Sequence, residues 1–260
     1  MKIATLTYTY PPDFEVADRA VRTIRKRWER TGLPMPTNFW VVHEKDADAA
    51  AAYFDGSEYY REKPDEKPNV VTHRFDAGGH LQHRSACRGM RICYRGLYVR
   101  PEKFDAVIKI DSDCMVLRPE CFTNPVRDSE VDHVYVPQKP SFSSGTSERF
   151  PFDAADNVYM HQAWGPAYLL SRKAMRTIIN YPQEAFEKMI VRCHGNEDQV
   201  FSRIVQVSRY MRISEIRPKF CIGSAERRLP DEWTVYCCDN PRKQSRQVFD
   251  VNGNRRDDGA

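Results

Sequence analysis

The sequence has no apolar run long enough to cross a membrane. It also shows no signal peptide, because the apolar residues within positions 1–6 give way to polar sequence too early. We therefore expect a soluble protein located in the cytoplasm. With 260 residues, 41% of them hydrophobic and 29% charged, the chain is large enough to bury a substantial core as one globular domain.

Paired cysteines and a glycine-rich loop are missing as well. The eight cysteines include no pair at CxxC spacing, which argues against structural zinc, and without an export signal they are predicted to be buried side chains or free thiols. Residues 7–13, after the first predicted strand, contain no glycine, which argues against the phosphate loop of a nucleotidyltransferase. The net charge of +4 permits an anionic ligand but does not require one.

The most informative stretch is residues 104–117, where two apolar runs flank a pair of carboxylates. The first run has the β propensity of a buried strand, and Asp111 and Asp113 follow it directly. Ligands of open α/β sheets bind outside the carboxyl ends of the strands. Two carboxylates at this spacing suit a hard divalent cation, Mn²⁺ or Mg²⁺, that bridges substrate phosphates. The alternative is a polar turn. An EF-hand is excluded, because Met115 and Val116 stand where it needs an oxygen ligand and a glycine.

Strand-like and helix-like segments alternate along the first half of the chain. Apolar runs with β propensity predict strands, and apolar residues at helical spacing predict amphipathic helices between them. The predicted strands are residues 2–10, 38–43, 70–75 and 104–110, and the predicted helices are residues 17–30, 47–54 and 81–98. Residues 56–69 are predicted to form a loop because they contain Pro64 and Pro68. This alternation predicts an α/β fold with a mainly parallel central sheet.

Arginines recur on one side of the helix predicted over residues 81–98. Arg84, Arg88, Arg91 and Arg95 are spaced by four, three and four residues, opposite the apolar stripe. Such a row could bind a diphosphate or a nucleic-acid backbone, and a solvated helix face is the alternative.

Two later segments, together with the Asp-Ser-Asp triplet, resemble a known family. Residues 161–175 resemble the Gly-Gly-Ala-Tyr-hydrophobic-hydrophobic-Ser-Arg stretch of Fringe-like and β-1,3-galactosyltransferase-like enzymes, and residues 193–202 resemble their Glu-Asp motif. The three segments follow one another in the order typical of metal-dependent glycosyltransferases of the GT-A fold. The chain departs from the pattern at Pro166, which stands at the second glycine. No histidine follows His194 to act as a further metal ligand.

The resemblance implies a Rossmann-like GT-A fold that uses a nucleotide-sugar donor, with a UDP-sugar expected. It implies one catalytic domain over residues 1–238, with a donor-binding half at about 1–118 and an acceptor half, including a smaller mixed region, at about 119–238. Residues 239–260 form a basic polar tail. Asp111 and Asp113 would hold Mn²⁺ or Mg²⁺. The donor contacts that the resemblance implies are Thr7, Tyr8, Thr9, Asp76, Arg84, Ser112, Trp164 and Gly165.

The Glu-Asp motif provides the catalytic candidates that the resemblance implies. Transfer of a sugar with inversion needs a carboxylate that accepts the proton of the acceptor hydroxyl. Asp198 is the predicted general base, and Glu197 is its alternate or an acceptor-binding residue, with His161 and His194 as further acceptor contacts. Inversion is the expected course, although Gln199 echoes the Asp-Gln pair of some retaining enzymes. The alternative role of both carboxylates is to cap a helix.

The acceptor stays open between a saccharide, a protein and a hydroxymethylated base in DNA, as in phage base-modifying glycosyltransferases. A DNA acceptor would require the base to be flipped from the stack. Two other classes of function also stay open. One is a non-enzymatic nucleic-acid-binding protein that uses the arginine row. The other is a phosphotransferase with an aspartate nucleophile, although its Asp-x-Asp normally lies near the first strand.

Overall fold

The protein is described by a computed structural model that covers residues 1–61, 65–73, 81–112, 114–137, 163–193, 197–208, 211–215, 219–222 and 233–237. Only the backbone is described at residues 81–85, 136–137, 163–166, 215, 219–222 and 233–237. None of the described helices combines the length and the apolar character that crossing a bilayer requires.

Strands and helices alternate through the first half of the chain, as predicted. The strands are β1 (Ile3–Tyr8), β2 (Thr37–His43), β3 (Val70–His73), β4 (Ala106–Asp111), β5 (Cys114–Val116), β6 (His133–Pro137), β7 (Ala163–Ser171), β8 (Ile213–Glu215), β9 (Lys219–Ile222) and β10 (Trp233–Cys237). The helices are α1 (Phe14–Glu29), α2 (Ala47–Asp55), α3 (Glu58–Arg61), α4 (Leu81–Tyr98), α5 (Glu120–Ser129), α6 (Arg172–Asn180), α7 (Gln183–Arg192) and α8 (Glu197–Val207).

A seven-stranded sheet in the order β3-β2-β1-β4-β7-β6-β8 forms the centre of the fold. Strands β3, β2, β1 and β4 are parallel, whereas β7 is antiparallel to both of its neighbours. The predicted α/β fold with a mainly parallel sheet is confirmed. Because the first four strands run the same way, their carboxyl ends lie at one edge of the sheet, where ligands of such folds bind.

A second, smaller sheet in the order β5-β10-β9 follows the end of β4. Strand β5 is the second apolar run of residues 104–117. It leaves the main sheet and pairs antiparallel with β10, near residue 235. Strand β5 also packs against α1. The segment after Asp111 is therefore fixed from two sides.

Alternation along β4 divides its side chains between the two faces of the sheet, as a period of two requires. Val107 packs in the core formed with α4, α6 and α8, whereas Ile108 and Ile110 pack in the core formed with α1 and α5. Lys109 and Asp111 share the parity of Val107. Both side chains therefore project from the face of the sheet that carries α4 and α8.

The structure corrects the prediction of a continuous loop over residues 56–69. Helix α3 lies within it, and Tyr59 and Tyr60 are buried in a cluster that also contains Trp40 and Phe54. The indole nitrogen of Trp40 donates a hydrogen bond to the Tyr60 hydroxyl. Packing against these rings outweighs the turn propensity of the flanking prolines, which is why the local pattern was misleading.

Two arginines of the predicted row join α4 to neighbouring helices. Arg88 forms a two-pronged ion pair with Glu187 on α7, at 3.0 and 2.6 Å. Arg91 donates to the carbonyl oxygen of Ile179 and lies over the ring of Phe186, 4.4 Å from its centroid. Both arginines therefore link α4 to neighbouring helices, while Arg88 stays exposed, as the alternative of a solvated helix face predicts for it.

The cysteines whose side chains the structure describes are free thiols, as predicted. They are Cys87, Cys93, Cys114, Cys121 and Cys193. Four are fully buried and Cys121 is partly buried. Burial raises the pKa of the Cys193 thiol to about 11, so this group is protonated and packs as a small apolar side chain.

Candidate active site

The carboxyl edge of the sheet gathers aromatic and acidic side chains from four parallel strands. Tyr8 ends β1, His43 ends β2, His73 ends β3 and Asp111 ends β4. Tyr8 is in register with Asp111, and His43 is in register with His73. Ligands of open α/β sheets bind outside the carboxyl ends of the strands, so the last residue of each strand lies where a ligand would bind.

A buried lysine joins the two acidic motifs of the sequence. The Lys109 ammonium lies 2.6 Å from Asp111 Oδ1 and 2.6 Å from Glu197 Oε1. The Lys109 side chain is only 4% exposed. Burial opposes its charge, but the two carboxylates outweigh that effect and hold its pKa well above the usual value. Lys109 therefore carries a permanent charge that draws the end of β4 and the start of α8 together.

Two buried tyrosines complete the surroundings of Glu197. The Tyr168 hydroxyl donates to Glu197 Oε2 at 2.7 Å, and the Tyr94 and Tyr168 hydroxyls are 2.5 Å apart. Because Tyr168 donates its only hydroxyl hydrogen to Glu197, Tyr94 is the donor in the hydrogen bond between the two tyrosines. Both Glu197 oxygens are thus occupied, one by Lys109 and the other by Tyr168. Burial, followed by the nearby charge of Glu197, keeps the pKa of both phenols well above the usual value.

Asp198 follows Glu197 at the start of α8, and its pKa is strongly shifted. Burial, followed by the charge of Glu197, raises the pKa of Asp198 to about 7. Lys109 and a hydrogen bond from the Gln199 backbone oppose that shift. Asp198 is therefore close to half-protonated at neutral pH, the condition under which a carboxylate accepts and returns a proton most effectively.

Three rings form an aromatic cluster beside the carboxylates. Tyr8 stacks on His73, with centroids 5.1 Å apart and planes 8° apart, and the Tyr8 hydroxyl is 2.8 Å from His73 Nε2. The His43 ring meets His73 edge-on at 5.8 Å. Burial, followed by the proximity of His43, lowers the pKa of His73 to about 3, so its ring is neutral. The two histidines were missed in the sequence, although His43 ends one predicted strand and His73 lies within another.

Several predicted donor contacts use their hydroxyls within the protein. Thr7 is fully buried and donates to Asn38 Oδ1 at 2.9 Å, which removes it from the edge. The Ser112 hydroxyl donates to Asp13 Oδ2 at 2.9 Å and so holds the start of α1 beside the end of β4. The Thr9 hydroxyl is buried, and no described group hydrogen-bonds to it.

Other predicted site residues lie outside the described residues or are described by their backbone alone. Those outside are Asp76, Asp113, His161 and His194. Those described by backbone alone are Arg84, in the first turn of α4, and Trp164 and Gly165, near the start of β7.

The described residues fit one half of the predicted metal site. Asp111 offers hard carboxylate oxygens, and its side chain is 39% exposed even though one oxygen contacts Lys109. Among the described residues no three acidic, histidine or cysteine side chains form a complete metal cage. Mg²⁺ and Mn²⁺ do not require such a cage when substrate phosphates and water supply the remaining ligands, so Asp111 is suited to be one ligand of a shared cation.

Comparison with known proteins identifies the fold. No protein-family profile and no curated protein sequence matches the chain. Solved structures that share its fold include the following two. Mouse xyloside xylosyltransferase 1 in its apo form has a TM-score of 0.52 and 12% identity, over 92% of this chain and 98% of that one. The galactosyltransferase LgtC in complex with donor and acceptor sugar analogs has a TM-score of 0.55 and 10% identity, over 93% of this chain and 88% of that one.

These two structures match nearly the whole chain. Their low sequence identity explains why the likeness is visible in the fold and not in the sequence comparisons. The predicted fold is thereby confirmed, and the chain has the GT-A fold.

Proposed function

We propose that the protein is a metal-dependent glycosyltransferase that moves a sugar from a UDP-sugar to a hydroxyl of a saccharide acceptor. The observation that carries the proposal is the contact of Asp111 and Glu197 with one buried lysine, Lys109. A carboxylate suited to a donor-bound cation and a Glu-Asp pair suited to proton transfer thus lie side by side at the carboxyl edge of the sheet.

The donor side of the proposed site consists of the ends of β1 to β4. Asp111 and Asp113 would hold Mn²⁺ or Mg²⁺, which when bound neutralises the charge of the departing diphosphate. Tyr8 and His43 are partly exposed and offer aromatic rings to the base of the nucleotide, while the buried His73 ring supports both of them. The hydrogen bond between Tyr8 and His73 fixes the orientation of these rings before a ligand arrives.

Asp198 is the better candidate of the two carboxylates for the general base. Glu197 has both oxygens occupied by Lys109 and Tyr168, so it is held in place and acts as a positioning residue. Asp198 has a pKa near 7, so above neutrality it is ionised and accepts the proton of the acceptor hydroxyl. That oxygen then forms the new bond to the anomeric carbon while the bond to the diphosphate breaks.

A single displacement of this kind inverts the anomeric configuration. Proton NMR of the product, collected before mutarotation, distinguishes the outcomes. The anomer opposite to that of the donor is expected with Asp198 as the base. The same anomer would contradict this role. It would favour a retaining reaction, as the Asp-Gln pair of Asp198 and Gln199 at the start of α8 suggests.

The saccharide acceptor is preferred over DNA because the arginine row gives DNA little support. Arg88 and Arg91 are engaged between helices by Glu187 and by the Ile179 carbonyl. Their engagement also weakens the alternative of a non-enzymatic nucleic-acid-binding protein. LgtC, which shares the fold, was solved with an acceptor sugar analog.

Thermal melting of the full chain tests the donor site. UDP and UDP-sugars, each with and without Mn²⁺, are compared with the corresponding adenosine, guanosine and cytidine compounds. A ligand that binds only the folded state raises the melting temperature, by about 5 °C or more at saturation. We expect stabilisation by UDP compounds that requires Mn²⁺ and is lost in Asp111→Asn. Asp55→Asn, which changes an exposed carboxylate paired with Lys67, is the matched control and should keep the shift.

Release of UDP and of sugar from the donor tests the reaction itself. Slow hydrolysis of one UDP-sugar that depends on Mn²⁺ and on Asp111 is expected, with acceleration by the correct saccharide. Absence of any melting shift and of any hydrolysis across the panel would overturn the proposal. Release of inorganic phosphate without free sugar would instead favour a phosphotransferase.

A further inference from the structure

Four arginines from three separate segments surround a cavity of about 510 Å³. Arg27 and Arg30 come from the C-terminal end of α1, Arg118 follows β5, and Arg127 comes from α5. Glu120 is the one acidic residue among those that line the described cavity. The wall therefore carries an excess of positive charge that no feature of the proposed donor site requires.

This cavity is separate from the proposed active site. The start of α1 lies at the carboxyl edge, because Asp13 immediately before the helix accepts a hydrogen bond from Ser112. Helix α1 has 16 residues and is therefore about 24 Å long. Arg27 and Arg30 lie at its opposite end, so a ligand in this cavity would not reach the carboxylates beside Lys109.

The arginines differ in how far their charge is already compensated. Arg118 pairs with Glu120 at 3.0 Å, and Arg127 forms a two-pronged pair with its neighbour Asp128. Arg27 is only 6% exposed, and contacts within the protein hold it in the wall. Arg30 is exposed, lines the same cavity and has no acidic partner among the described residues. The cavity thus has a fixed cationic wall and one exposed cation, Arg30, without an acidic partner.

We propose that this cavity is a second ligand site, one that binds a small anion with two or more phosphate groups. Guanidinium groups match phosphate oxygens with paired hydrogen bonds, and arginines on different segments can grip more than one phosphate. The volume is that of a small-molecule site and exceeds the needs of a single phosphate. Asn124 on α5 adds an uncharged hydrogen-bonding group to the same wall.

Isothermal titration calorimetry of the full chain with inorganic pyrophosphate tests the proposal. The buffer contains EDTA, which removes the divalent cation that the donor site would need to bind pyrophosphate. It also contains little salt, so that the attraction between arginines and the anion is not screened. We expect one saturable site in the wild type. The double variant Arg30→Gln/Arg118→Gln should weaken the affinity about tenfold or more, because it removes two charged donors and frees Glu120 to repel the anion. Arg176→Gln, an exposed arginine on α6, is the matched control and should bind like the wild type.

The two sites are distinguished by a second variant. Asp111→Asn should leave pyrophosphate binding in EDTA unchanged, whether or not the proposed glycosyl transfer is correct. Saturable binding that the double variant leaves unaltered, or absence of binding by the wild type at millimolar pyrophosphate, would overturn the second site. Thermal melting of each variant without ligand verifies that a lost affinity does not come from unfolding.

Discussion

Lys109, in the middle of a buried strand, forms a 2.6 Å ion pair with Glu197, the first residue of α8. The same ammonium contacts Asp111 at the end of its own strand. A buried charge is costly unless it is compensated, and here one lysine is compensated by two carboxylates from separate motifs. Each of the three groups therefore depends on the others for its place.

Lys109→Met is expected to destabilise the protein strongly. The substitution keeps most of the side-chain volume but leaves Asp111 and Glu197 facing each other without a cation. Loss of one partner from a buried pair typically costs about 3–5 kcal/mol, and the partial exposure of Asp111 favours the lower value. Urea unfolding measures the change. Lys188→Met, at an exposed lysine paired with Glu184, should change the free energy of unfolding by less than about 0.5 kcal/mol.

A second substitution identifies the origin of that loss. In the Lys109→Met background, Asp111 and Glu197 carry charges that no cation compensates. Glu197→Gln removes one of these two charges and should recover part of the stability. If the double variant is as unstable as the sum of the two single variants, Lys109 and Glu197 act independently, and the carboxylate does not compensate the ammonium.

Tyr168→Phe is expected to lower kcat about tenfold while leaving donor affinity unchanged. The phenol is the group that fixes Glu197 Oε2, and its loss lets that carboxylate turn within the site. Tyr94→Phe is the matched control, because it removes only the outer hydroxyl and keeps the bond from Tyr168 to Glu197. Its kcat should stay within about twofold of the wild type. Equal losses in the two variants would indicate a packing effect rather than positioning of Glu197.

Asp198→Asn is expected to slow transfer at least about 100-fold and to stabilise the fold at alkaline pH. The pKa of Asp198 is about 7 in the folded protein, above its usual value, so the unfolded chain gives up this proton first. The contribution of Asp198 to stability is therefore complete below about pH 4 and is lost as the pH rises to about 7. Asparagine stays neutral, so the variant should gain up to about 4 kcal/mol at pH 8 and much less at pH 5.

The pH dependence of the wild-type reaction tests the same group. If Asp198 is the base, kcat/KM should rise about tenfold per pH unit below pH 7 and level off above it. A profile that is flat between pH 5.5 and 8 would contradict the assignment. The asparagine variant should lose at least about 100-fold in kcat and show no acidic limb.

His133→Leu is expected to reduce the sensitivity of the fold to acid. The His133 ring is fully buried, neither ring nitrogen hydrogen-bonds to a described group, and burial lowers its pKa to about 3. The unfolded chain takes up this proton below about pH 6.5, so stability falls by about 1.4 kcal/mol for each pH unit below that value. Urea unfolding at pH 7.5 and pH 5 should show the smaller loss in the variant. An identical loss in both proteins would contradict the prediction.

Some elements could be predicted because their signal is local. Helix α4 begins and ends at the predicted residues 81 and 98, since its apolar side chains recur at helical spacing. Helix α5 was missed, because it contains Pro125. Proline in a helix interior removes a backbone donor, and packing of Phe122 in the core stabilises the helix nevertheless.

The sequence by itself determined the parallel sheet, the strand that ends at Asp111 and the helix that begins at Glu197, because propensity and periodicity act over neighbouring residues. The period of two in a strand also determined that Lys109 and Asp111 project from one face. Only the tertiary structure decided that α8 meets that face at Lys109, and that Arg88 and Arg91 pair with other helices instead of a ligand. Such contacts join residues that are far apart in the chain, so local sequence patterns cannot predict them.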